Sequence, residues 1–279
     1  MRDEIRELLV ANVPTVNGEV WEPSAAGPDL PKPHLVLREG VQDAGEAYAD
    51  FTTAYEVWPY VRRTTFKKVD ELSKEVINAL HRKRFDVGGV PHYIEYTGTA
   101  SEDIVDEDWD ALTRGLRFQV YSLAWLLHTP IEPDPVTAMQ LWSEARFPEM
   151  QTNPVTWSPK DSNPALYWRV DSTTSVQPTN WGSWIVMQLK GHVIAPDVSI
   201  RRVGTDKIIR MLAIDNRTYM TDGSMMNIES ASADGGYDPF RQGQIQVSVR
   251  FGILRDKVPR NLLKNAYFDE KRGGQVHVQ

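Results

Sequence analysis

Cysteine is absent from all 279 residues, and that single absence removes several function classes. A disulfide framework, a thiolate nucleophile, a zinc ribbon and an iron–sulfur cluster all need it. Long apolar runs are missing too, and no stretch approaches the length of a membrane span. The first ten residues are charged and amphipathic, with Ile5, Leu8 and Leu9 on one side, and do not read as a secretory signal. The expected setting is therefore the cytoplasm, and Asn216-Arg217-Thr218 is not read as a glycosylation acceptor. Positive charge is in short supply: 31 Lys and Arg against 38 Asp and Glu leave a net charge of −7. Gripping nucleic acid by counterion release needs the opposite surplus on one face.

What the chain does have is material for a core. Hydrophobic residues make up 41% of it and include nine Trp, ten Tyr and eight Phe, which excludes a disordered or collagenous chain. The length admits two domains or one large one. Asp3 to Ala11 reads as a short helix, Val20-Trp21 as the start of an extended segment, and the Pro/Gly-rich run from Pro23 to Pro33 as a loop. Leu35-Val36-Leu37 is extended, a Gly- and Asp-containing loop lies around Asp43 to Glu46, and Phe51 to Tyr60 carries strand-forming residues. Val69, Leu72, Val76 and Leu80 then recur at helical spacing, with Lys67, Asp70, Glu71 and Lys74 opposite them. Gly88-Gly89 is expected to end that helix. His92 to Thr97 alternates as a strand, an acidic loop follows, and Leu116, Phe118, Val120 and Ser122 line one face of a closing strand.

The second half repeats this order. Asp134 to Ala145 is helical, with Val136, Met139 and Trp142 on one side, and stands where the first helix stood. Pro164 to Arg169 answers Pro33 to Arg38 at an offset of 164 − 33 = 131, and Ile245 to Val249 answers Leu116 to Val120 at 245 − 116 = 129. Between them come an extended Trp184 to Val193, a helix with Ile208, Ile209 and Leu212 inward, and Met225 to Ser230, which answers Tyr93 to Thr97. The fold class expected is α+β: two related domains, each a mostly antiparallel sheet with a helix packed on one face. Pro130, Pro133 and Pro135 place the boundary, giving domains over 1–128 and 129–258 and a Lys-, Arg- and Gly-rich C-terminal arm over 259–279. The alternative is two unrelated α+β domains.

From Met1 to about Leu127 the chain resembles the tail terminator, or tail completion, proteins of long-tailed bacteriophages. The resemblance rests on the whole run: the short N-terminal helix, Pro33-His34-Leu35-Val36-Leu37, the polar loop, Tyr55-Glu56-Val57-Trp58-Pro59-Tyr60-Val61, the helix Val69 to Leu80, Tyr93-Ile94-Glu95-Tyr96, the acidic loop and Leu116-Arg117-Phe118-Gln119-Val120-Tyr121. It implies a non-enzymatic virion protein, assembled in the host cytoplasm, that forms a ring in the neck region of the tail. Such a ring caps the finished tail tube, contacts the tube protein on one side and the head-side connector or stopper on the other, and lets viral DNA pass without specific binding. Family members are usually about one such domain. A doubled chain makes either a hexamer or a trimer with pseudo-sixfold symmetry, and no cofactor or membrane enters.

A channel of this kind must not hold its cargo, and carboxylates repel phosphates at close range. Glu102, Asp103, Asp106, Glu107 and Asp108, in a run that holds six acids in nine residues with Asp110, are the candidate lumen lining. A solvated loop is an equal reading of the same run. Arg62, Arg63, Lys67 and Lys68 sit between a strand and its helix, and Arg201 and Arg202, with Lys207 nearby, occupy what reads as the equivalent place in the second pass. Recurrence there points to ion pairs with a neighbouring subunit, since such pairs fix register and partner choice; ordinary helix-face solvation is the alternative.

Other chemistry finds little support. Asp106, Asp108 and Asp110 are spaced like the start of a calcium loop, but the sixth place is Ala111 where Gly is needed and the twelfth is Arg117 where Glu is needed. The six histidines, His34, His81, His92, His128, His192 and His277, show no i, i+4 spacing for zinc. No phosphate-cradling glycine loop occurs, and Trp181-Gly182-Ser183-Trp184 lacks the second glycine of a nucleophile elbow. No catalytic or metal residue is assigned. Two rivals stay open: another tail ring such as a tube subunit, and a carbohydrate-binding module with Trp157, Trp168, Trp181 and Trp184 as stacking platforms.

Overall fold

The computed structural model describes residues 1–43, 52–153 and 164–255, together with the backbone of two short strands at 266–268 and 276–278. The first unit opens with α1 (Arg2–Asn12), β1 (Val20–Trp21), β2 (His34–Asp43), β3 (Thr52–Arg62) and α2 (Phe66–Leu80). It continues through β4 (Lys83–Val87), β5 (Val90–Thr99), β6 (Ile104–Asp106), β7 (Ala111–Thr113) and β8 (Leu116–Ser122). The second comprises α3 (Pro135–Arg146), β9 (Ala165–Pro178), β10 (Gly182–Ile194), α4 (Val198–Asp215), β11 (Arg217–Tyr219), β12 (Met225–Ala233) and β13 (Ile245–Leu254). Strands β14 (Ala266–Phe268) and β15 (Val276–Val278) pair with each other.

Each unit buries one face of its sheet under helices. In the first, Val69, Leu72, Val76 and Leu80 of α2 and Ile5 and Leu9 of α1 meet Leu35, Val57 and Phe118 of the sheet. In the second, Val136, Met139 and Trp142 of α3 and Ile208 and Leu212 of α4 meet Trp168, Leu189 and Val247. Both periodic patterns therefore buried the faces their spacing marked.

Helix α2 starts where the Thr65 hydroxyl accepts the Lys67 N–H and stops at Leu80, because Arg82 turns the chain at φ 62°. Gly88-Gly89, expected to end this helix, lies further on and makes the turn between β4 and β5. Both glycines have positive φ, 57° and 83°, which suits the two-residue hairpin turn whose twist matches its strands.

The two sheets have one topology. The first runs β2-β3-β8-β5-β4 and the second β9-β10-β13-β12-β11, every neighbour antiparallel, with α2 and α4 joining the second strand of each order to its last. Even the edge agrees: β1 lies parallel to the start of β2, and Gln151 bridges the start of β9 in parallel. Helix N-caps fall at Thr65 and Asp197, and a one-residue bulge falls at Thr97 in β5 and Glu229 in β12. Both pairs are 132 positions apart (197 − 65 and 229 − 97).

This register corrects the sequence match by two residues at two places. Phe118, beside the bulge of β5, corresponds to Val249 beside the bulge of β12, an offset of 131 where the sequence match gave 129. His34, the partner of Tyr60, corresponds to Tyr167, the partner of His192, at 133 where the match gave 131. A slip of two leaves every side chain on its own face, so alternation cannot detect it.

Between the units lies a third cluster: Tyr93, Leu123, Trp125, Ala165, Tyr167, Ile194 and Phe240. The Trp125 indole N–H donates to the Phe240 carbonyl at 2.8 Å, and Phe240 stacks on Tyr93 and Tyr121 at 4.4 and 4.9 Å. Of the loop expected at Asp43 to Glu46, Asp43 is the last residue of β2, paired with Thr52, while 44–46 and most of the C-terminal arm lie outside the described residues.

Candidate functional site

The acidic run is a folded hairpin. Strand β7 continues the line of β8 along β3, pairing Tyr60 with Thr113 and Arg62 with Ala111, and β6 pairs on β7. Asp106 closes the turn by accepting the Trp109 N–H at 3.0 Å. Trp109 then lies over Tyr60, 4.6 Å between ring centroids, and Tyr60 stacks on His34 at 5.2 Å. His34 is fully buried; its Nδ1 meets the Pro31 carbonyl at 2.9 Å and its Nε2 has no partner among the described residues. Burial therefore pulls the His34 imidazole below its ordinary pKa, and burial followed by the nearby Asp106 carboxylate raises the Tyr60 phenol.

The five candidate acids share this hairpin but not one environment. Arg114 grips Asp103 at 2.6 Å and Asp70 of α2 at 2.9 Å, so the hairpin is tied to the helix layer. Glu107 faces Arg63 at 3.7 Å. Asp106 is committed to its turn, while Glu102 and Asp108 stand exposed. The hairpin keeps a surplus of negative charge, with two of its six acids matched by arginines of the same chain.

The basic residues are not the matched pair that the sequence pointed to. At the 132-residue offset Arg62 and Arg63 correspond to Ile194 and Ala195, whereas Arg201 and Arg202 correspond to Val69 and Asp70. Arg62 ends β3 and Arg63 opens the turn after it, whereas Arg201 and Arg202 lie in the first turns of α4. Arg63 already has Glu107 of its own chain, and Lys67 pairs with Glu71 one helical turn on. Arg201 donates to the carbonyls of Ala195 and Pro196 and so fastens the end of β10 to α4. Arg62 and Lys68 line a cleft of about 430 Å³ together with Lys32, Glu71 and Glu75, and Arg202 is exposed.

The tryptophans also separate. Trp168 is core, its indole N–H donating to the Ser143 hydroxyl at 2.8 Å, and is no platform. Trp157 lies outside the described residues. Trp181 and Trp184 meet edge to face at 5.2 Å and line a groove of about 580 Å³ with Glu132, Asp222, Met225 and Leu254. Gly252 lies beneath them, where a Cβ would come within 3.0 Å of the Trp181 ring. Sequence reasoning had no signal for the two acids of this groove, Glu132 and Asp222, which come from segments 90 positions apart (222 − 132).

Among the described residues no cluster of three metal-binding side chains occurs, and no helix is long and apolar enough to cross a membrane. His128 contacts the Asp134 carboxylate at 3.0 Å, but that carboxylate caps α3 through the N–H groups of Val136 and Thr137. No protein-family profile matches the chain, and no curated protein matches it.

Proposed function

We propose that this chain is a structural virion protein that closes into a ring at the head-proximal end of a long phage tail. The observation that carries the reading is the doubled topology. Two sheets with the same strand order in one polypeptide suit a ring in which three chains supply six units, or six chains supply an inner and an outer set. The partners in this reading are further copies of the chain, the tail tube protein and the head-side connector or stopper. Among the described residues the acidic hairpin occurs in the first unit and has no counterpart in the second, so a ring would display it once per chain. Set toward the lumen, its carboxylates would act on DNA phosphates within about 8–10 Å, the screening length at physiological salt, and keep the passing duplex from sticking.

Mass photometry of the purified chain tests the ring: a discrete trimer or hexamer is expected, and a monomer at every concentration would end the reading. Long filaments would instead favour a tube subunit. Electron cryo-microscopy of the assembly is expected to place the hairpin on the channel wall, and an outer-rim position would remove the lumen role. One observation favours a second reading, the paired indoles of Trp181 and Trp184 beside two carboxylates, an arrangement that can stack and hydrogen-bond a sugar. Glycan-array binding by the full chain, lost in Trp181→Ala, would favour it.

A further inference from the structure

The groove at the tip of the second sheet exposes more apolar surface than a solvated strand end needs. Leu254 is 78% exposed, Ile253 and Met225 are each 39% exposed, and Trp181 is 38% exposed. All belong to its wall, beside the carboxylates of Glu132 and Asp222. Contiguous apolar surface rimmed by charge marks a contact site.

The chain also holds a fitting occupant. Strands β14 and β15 form a two-stranded antiparallel sheet, with Tyr267 opposite His277 and Phe268 opposite Val276, and they pair with no other strand among the described residues. A lone two-stranded hairpin is marginal in water and needs a surface to lie on. Its strands read Ala-Tyr-Phe and Val-His-Val, rich in apolar and aromatic residues. Charge agrees: residues 256–279 carry Lys257, Arg260, Lys264, Lys271 and Arg272 against Asp256, Asp269 and Glu270, a net of +2 on a chain whose total is −7. From Arg255 to Ala266 the chain can span at most about 36 Å, enough to leave its own molecule and reach a neighbour.

The geometry points to a subunit seam in which the C-terminal hairpin of one copy lies in the Trp181, Trp184 and Leu254 groove of the next. Hairpin and groove are different surfaces of one chain, so the contact is head to tail. Repeated, it closes a ring where the rotation allows. This rests on the ring reading and names the surfaces that make the ring.

Two variants test it. One ends at Arg255; the other is the full-length double variant Met225→Lys and Leu254→Lys, which puts cations and no new bulk on exposed positions. Each alone is expected to lose self-association by about 30-fold or more while its thermal midpoint and circular dichroism stay those of wild type. Mixed, they are expected to form a one-to-one dimer and nothing larger, because the truncated chain still offers a groove and the double variant still offers a hairpin. Either variant assembling as wild type does would overturn the seam and leave the ring reading standing. Truncation that lowers the thermal midpoint without changing the oligomer would assign the hairpin to its own groove and overturn the seam. A wild-type monomer would end both ideas. Oligosaccharide that quenches the groove tryptophans equally in wild type and truncation would give the groove to a sugar instead.

Discussion

The indole of Trp125 lies face to face with the imidazole of His192, 3.9 Å between ring centroids and 20° apart in plane. The first residue ends the first unit and the second belongs to β10 of the other, so this stack joins the two units beside the Phe240 contacts with Tyr93 and Tyr121. His192 is held on all sides: its Nδ1 donates to the Pro239 carbonyl at 2.7 Å, and its Nε2 accepts from Arg169 at 3.0 Å.

Trp125→Ala should cost about 3–5 kcal/mol, the usual loss for a buried large aromatic, and should uncouple the two units. Calorimetry is expected to show one wild-type transition splitting into two. A variant that melts as one transition, less than about 1 kcal/mol below wild type, would show that the joint lies elsewhere.

Acid should loosen the same joint. Burial pushes the His192 imidazole down to about 3, and burial lowers His34 as well. Both are neutral in the native protein and take up a proton in the unfolded chain below its ordinary value near 6.5. Their contribution is present above pH 6.5 and is lost as the pH falls below it, for His192 down to about 3. Between pH 7 and 4.5 His192 alone should remove about 2–3 kcal/mol, read from denaturant midpoints. His34→Phe, which keeps a ring against Tyr60 and cannot titrate, should make the profile shallower by the His34 share and leave the His192 share in place; a wild-type midpoint unchanged by acid would contradict the account.

Close approach of β10 and β13 depends on Gly182. A Cβ there would lie 1.9 Å from the Ile253 carbonyl oxygen, so Gly182→Ala must part the strands at the tip that carries the groove. The expected cost is about 1–3 kcal/mol. Gly27→Ala, where a Cβ meets nothing within 4 Å, is the control and should melt with wild type.

Arg114 should matter more to the acidic hairpin than Arg63. It is 23% exposed and bridges Asp103 to Asp70, whereas the Arg63–Glu107 pair is open to solvent at 3.7 Å. Arg114→Ala should cost about 1 kcal/mol and speed hydrogen exchange in β6 and β7. Arg63→Ala should change stability by less than about 0.5 kcal/mol. Equal exchange rates in the two variants would show that Arg114 does not tie the hairpin down.

Long periodic elements were legible beforehand: α1, α2, α3, β8 and the buried face of α4 follow the spacing of their apolar residues. Short strands were not. β4 carries Lys83, Arg84 and Asp86 in five residues, and β6, β7 and β11 have three residues each, too few for alternation to register. The acidic run read as a loop because its strand character comes from pairing beside β3, which no local pattern encodes. The indoles of Trp168 and Trp181 look alike in sequence, and only packing makes one core and the other groove.

By itself the sequence determined the two α+β units and their common order, because periodicity and turn residues are properties of neighbouring positions. Tertiary structure alone decided the two-residue register between the units, the intrachain partner of Arg63 and the meeting of Trp125 with His192. Each of these joins residues far apart in the chain. Their energies come from burial and contact across that distance, where the one-dimensional pattern is silent.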